Sequence, residues 1–130
     1  MRVFKYPRFN RFAEKEGITD AELRVIINKL EAGKAEADLG GGVYKERLPR
    51  SGEGKLGGFR VIVYFKNEFR AFFVYGFRKS GRDNINKGEL KAFKIDAKEN
   101  FSLTDEQIEA WLKRGTLIEI LLEAGDDIQK

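Results

Sequence analysis

Cations crowd one stretch of this chain: Lys45, Arg47, Arg50, Lys55, Arg60, Arg78, Lys79 and Arg82. They fall within YKERLPRSGEGKLGGFRVIVYFKNEFRAFFVYGFRKSGRDN, opposed nearby by Glu46, Glu53, Glu68 and Asp83. Such a cluster suits the binding and charge stabilisation of phosphate, and RNA is the leading anionic partner. Lys45 and Arg47 are two apart on a predicted strand, so they share a face. Antiparallel pairing of the next two strands brings the Arg60 end near the Arg78 end. The competing structural reading is surface ion pairs with Glu46, Glu53 or Glu89, each worth under ~1 kcal/mol.

Aromatics interleave with these cations. Phe72, Phe73, Tyr75 and Phe77 belong to one strand, where alternation places Phe73, Tyr75 and Phe77 on one side. Aromatics among cations can stack bases, although most in a small fold must be core. Tyr75 is the strongest candidate, because its hydroxyl needs a polar partner. GEGKLGG is not a nucleotide-hydrolysing loop. Pro49 stands five residues before Gly54, where the motif needs glycine, and Leu56 replaces the hydroxyl after Lys55. Lys55 between glycines remains suited to meet a phosphate as a mobile point charge.

The elements that must position these residues are legible from periodicity. Val3–Tyr6 reads as a strand, and Pro7 as the start of a helix that Gly17 stops. TDAE (19–22) is a capping box, followed by Leu23, Ile26, Ile27 and Leu30 at helical spacing. Residues 35–42 read as a loop. A strand begins near Val43 and runs toward Arg47, and residues 49–54 are turn material. Phe59–Lys66 and Phe69–Phe77 read as strands joined tightly through Asn67-Glu68. Residues 86–100 read as a helix with Leu90, Phe93, Ile95 and Ala97 as an imperfect apolar face. TDEQ (104–107) is a second capping box, with Ile108, Trp111 and Leu112 behind it. Leu117–Leu122 is a last apolar stretch, and the tail reads as frayed. The order is β-α-α-β-β-β-α-α.

Composition narrows the function. With 130 residues and 42% hydrophobic content, one domain is expected, 1–130, in which 101–130 is a less diagnostic helical segment. There is no cysteine, which excludes a thiolate nucleophile and fits a reducing cytosol. There is no histidine, which removes serine–histidine catalysis and histidine metal sites. No acidic cluster marks a metal site. The N-terminus lacks a signal-peptide core, and no apolar run nears the ~18 residues of a membrane span. The expectation is a cytoplasmic protein.

The stretch from Tyr44 to Ile85 resembles the RelE/ParE superfamily of type II toxins, more closely the RelE-like branch related to HigB. Lys45-Glu46-Arg47, Gly52-Glu53-Gly54-Lys55, Gly57-Gly58-Phe59-Arg60 and Phe73-Val74-Tyr75-Gly76-Phe77 with Lys79 carry the likeness. It covers residues 1 to about 100. It implies an α+β fold: a small curved antiparallel sheet with helices packed on one face. It implies a ribosome-dependent messenger-RNA endoribonuclease that inhibits translation, works without metal or other cofactor, and is neutralised by a cognate antitoxin. Operator DNA would be reached only through the antitoxin complex. Lys55 and Arg60 fall at active-face positions, Lys45 and Arg47 on the basic strand before the loop, and Arg78 or Lys79 after the last long strand. RelE carries a tyrosine further along; the region around Asn84-Ile85-Asn86 has none.

The implied chemistry stands on general grounds. Cleavage by the 2′-hydroxyl needs proton removal, charge stabilisation at phosphorus and a protonated 5′-oxygen. A lysine crowded by arginines has a lowered pKa and can act as base. Arginine can hold the phosphorane bidentately. The resulting assignment is Lys55 or Lys45 as base, Arg60 and Arg78 as clamp, Tyr75 beside them, and Arg47, Arg50, Lys79 and Arg82 as RNA contacts. The rivals are a ParE-like inhibitor of DNA gyrase and a non-catalytic basic interaction module.

Overall fold

A computed structural model describes residues 1–50, 57–82 and 84–121. Its elements are β1 (Arg2–Lys5), α1 (Pro7–Glu16), α2 (Asp20–Glu31), β2 (Ala37–Asp38), β3 (Val43–Leu48), β4 (Phe59–Lys66), β5 (Arg70–Arg78), α3 (Lys87–Phe101), α4 (Asp105–Arg114) and β6 (Ile118–Ile120). The fold is α+β, around an open six-stranded sheet ordered β2-β3-β4-β5-β1-β6. The central β3-β4-β5 unit is antiparallel, as expected. β1 runs parallel to β5, so the whole sheet is mixed.

Two strands are additions to the expected order. β2 forms a hairpin with β3 through Gly40–Gly42, and β6 pairs antiparallel with β1. At two and three residues, neither shows any period in the sequence.

The helices cover both faces of the sheet rather than one. The reason lies in β4, where Phe59, Val61, Ile62, Val63, Tyr64 and Phe65 are all buried. A strand apolar on both sides must be covered on both. Phe9 and Ala13 of α1, with Leu23, Ile26, Ile27 and Leu30 of α2, join the core that contains Phe59, Val61, Val63 and Phe73. Phe93 and Ala97 of α3, with Ile108 of α4, join the core of Ile62, Tyr64, Phe72 and Val74. In α3 the buried residues are Phe93, Ala97 and Asn100, at helical spacing, while Ile95 is exposed.

The helix ends follow their capping chemistry. Thr19 and Thr104 each accept from the backbone N–H three residues on, completing both expected boxes. Asn86 and Glu89 form a third box, which starts α3 beside the cationic loop. Gly17 and Gly115 end α1 and α4 in the left-handed conformation.

One irregularity positions the candidate site. The β4–β5 register shifts between Ile62 and Val63, so Ile62 faces Tyr75 while Val63 faces Phe73. Val74 is the extra residue of this bulge. Phe73 therefore joins the α1–α2 core, whereas Tyr75 packs with the α3–α4 core. The expected shared face for Phe73, Tyr75 and Phe77 is thus broken after Phe73. The bulge carbonyl of Val74 accepts from Arg8 Nε at 2.8 Å.

Candidate nucleic-acid interface

Strand register sets the first five groups. Lys45 lies opposite Ile62, and Arg47 directly opposite Arg60. Across the other side of β4, Arg60 faces Phe77 and Ile62 faces Tyr75. Lys45, Arg47, Arg60, Tyr75 and Phe77 therefore line one end of the sheet face whose other end lies under α3 and α4. The intervening Glu46 points the opposite way. It is fully buried, accepts from the Glu36 N–H at 2.7 Å and sits 3.3 Å from Lys29 Nζ. It does not neutralise the cations on the open face.

Arg47 and Arg60 are like charges at directly opposed positions, a pairing that costs stability in a sheet. Arg60 Nη1 donates to the carbonyls of Gly57 at 3.0 Å and Phe59 at 3.3 Å, which fixes the guanidinium near the strand start. Burial pushes the Arg60 pKa down, and the Arg47 charge pushes it the same way; Glu36 partly offsets them. Glu36 approaches Arg47 at 3.8 Å. The pair still carries two positive charges side by side, a receptor for a dianionic or transiently dianionic phosphate.

A polar chain fixes the loop after β5 against this face. Lys45 Nζ donates to Asn84 Oδ1 at 3.0 Å. Arg82 Nε donates to the Asn84 carbonyl at 2.9 Å, and Arg82 Nη1 donates to the Tyr75 hydroxyl at 2.8 Å. Arg82 also pairs with Glu89 and lies over the rings of Tyr75 and Phe77. The Glu89 carboxyl is held below its ordinary range, first by the Asn86 backbone N–H and then by Arg82. Bonding to Glu89 in turn raises the Arg82 pKa. Asn84 had no role in the sequence reading, and nothing in its local pattern marks it. The N-x-x-E spacing of Asn86 and Glu89 is a visible signal for the anchor of α3.

Arg78 and Arg50 lie elsewhere. Since Phe77 opposes Arg60, alternation sends Arg78 to the α1–α2 face. There it meets Glu16 at 3.2 Å and lies 5.0 Å over the Phe59 ring. Arg50 lies 4.5 Å over the same ring. The expected clamp of Arg60 with Arg78 is therefore divided by the sheet, although their strand ends do meet. The Lys79 N–H donates to the Gly58 carbonyl at 3.1 Å, closing the strand end. Lys55 lies outside the described residues.

Beside the cations, on the same sheet face, a cavity of about 700 Å³ opens between the sheet and helices α3 and α4. Tyr75 and Glu89 belong to both places. Asp96 forms its floor: Oδ2 accepts from the hydroxyls of Tyr6 at 2.6 Å and Tyr64 at 2.8 Å. Burial, reinforced by Asp96, raises the pKa of both phenols. Sequence periodicity had given these two tyrosines and Asp96 no role.

Among known families, the one described as the RelE toxin of the RelE / RelB toxin–antitoxin system matches residues 1–120. The match runs well past the motif-bearing stretch, through α4 and β6. With so nearly full a match, the chain belongs to the RelE toxin family and is a toxin of a toxin–antitoxin system.

Proposed function

We propose that this toxin is a ribosome-dependent messenger-RNA endoribonuclease of the HigB-related branch, acting in the cytoplasm without metal and neutralised by its cognate antitoxin. The observation that carries the proposal is the direct opposition of Arg47 and Arg60, with Lys45 on the same face. Two arginines at directly opposed strand positions can stabilise the charge that develops at phosphorus. Lys45, two residues from Arg47 and hydrogen-bonded to Asn84, is the described base candidate; Lys55 retains that role as the alternative. Arg47 replaces Arg78 as the partner of Arg60 in the clamp. Tyr75, held by Arg82, supplies an aromatic platform. A set with neither histidine nor metal relies on external positioning of the RNA, and the ribosome supplies it.

The test is induction of the wild type and Arg60→Ala in a bacterial host, with mapping of messenger-RNA 5′ ends and growth. The expected result is arrest with new ends inside translated frames, both lost in the variant. Arrest with intact messages and accumulating DNA breaks would replace this reading with gyrase inhibition.

A further inference from the structure

Building on the nuclease reading, we propose that the cavity beside the cationic end takes one unstacked nucleobase of the RNA, while its phosphates stay on Lys45, Arg47 and Arg60. About 700 Å³ is the size of a small-molecule site. Its lining is aromatic: Tyr6, Tyr64, Tyr75, Phe93 and Trp111. The polar groups select against phosphate and for a base. Asp96, which has no cationic partner among the described residues, repels a phosphate, whereas its carboxylate accepts from the N–H groups of a base edge. Asp96 Oδ2 is taken by the two phenols, and among the described residues no hydrogen bond reaches Oδ1. Arg8 is fixed at the entrance by its bond to the Val74 carbonyl and lies 5.7 Å over the rings of both Tyr6 and Tyr75.

Position along the sheet supports one base with its phosphates outside. Tyr75, on the cavity wall, pairs with Ile62, and the Arg60–Phe77 pair lies two residues further along. That is about 7 Å of strand. The bulge at Val74 creates this continuity by turning Tyr75 to the cationic face.

Trp111 is the only tryptophan in the chain and lines the cavity, so its fluorescence reports occupancy. Nucleoside 5′-monophosphates should change it saturably, and ribose 5-phosphate should not. Ala92→Phe, at an exposed lining position, should weaken that response at least tenfold. Asp96→Asn keeps an acceptor for both phenols and should alter the ranking of the four nucleotides. In a translating extract, Ala92→Phe should change which bases flank the cut, without the complete loss expected of Arg60→Ala. No response to any nucleotide, or an equal response to ribose 5-phosphate, overturns the proposal. The first is also what a cavity built for an apolar side chain of a protein partner would give. The titration needs no cleavage, so failure of the nuclease reading and failure of the base site are read separately.

Discussion

Arg47 and Arg60 meet across two neighbouring strands, and the buried Glu46 beside them turns to Lys29 on the other face. A pair of like charges at such positions lowers stability by roughly 0.2–1 kcal/mol. Arg47→Thr should therefore raise the melting temperature slightly while reducing messenger-RNA cleavage by at least tenfold. Parallel thermal melts and primer-extension mapping check both halves; a variant that is less stable and fully active would refute the trade-off. The Glu89 anchor gives a pH signature. Its folded pKa is depressed below the ordinary 4.5, so its contribution is present above that value and is lost as pH falls through the folded one. The stability difference between wild type and Glu89→Gln should be constant near neutrality and shrink in acid. Melts across that range measure it. Tyr64 behaves oppositely. Its raised pKa leaves its contribution intact below the ordinary value of 10 and erodes it above, as unfolded phenol ionises.

Among the elements, β5 does the most to build the site, and it shows where sequence reading stops. Its existence and its pairing with β4 followed from residue types. The half-strand change of phase at Val74 did not, because a bulge is one extra residue in a run that looks apolar throughout. The same blindness placed Arg78 beside Arg60: strand ends are legible, but facing depends on register. The capping boxes at Thr19 and Thr104 were legible because two side chains must recur at a fixed spacing. β2 and β6 were not, since they exist only as partners of β3 and β1. Gly76 illustrates how closely α1 is docked. A Cβ there would lie 2.3 Å from the Phe12 ring. Gly76→Ala should cost about 1–3 kcal/mol by overpacking, and should be rescued in part by Phe12→Leu. At Gly58, a Cβ would meet the Leu48 carbonyl at 2.4 Å on a backbone with φ of 74°. Backbone cannot step aside as a ring can, so Gly58→Ala should have no such rescue.

At the scale of the whole molecule, a buried arginine ties the two halves of the α3–α4 layer to the sheet. Arg70 donates to the carbonyls of Asn100 and Leu103 and pairs with Asp105, at the turn between the helices. Arg70→Ala should lower stability by about 3 kcal/mol, since it strips the Leu103 carbonyl of its donor and leaves the Asn100 carbonyl only the Leu103 N–H. Denaturant melts would show it, and an unchanged midpoint would contradict it. Arg70 also opens β5, whose neighbour β1 pairs Val3 with Ala71 on one side and with Ile120 on the other. β1 thus waits for β5, made much later, and is flanked at last by β6, made later still. Long-range closures of this kind slow folding. A nascent chain therefore carries its cationic strands before it carries the sheet that fixes them. The translating ribosome should finish most of this toxin before any of it can be toxic.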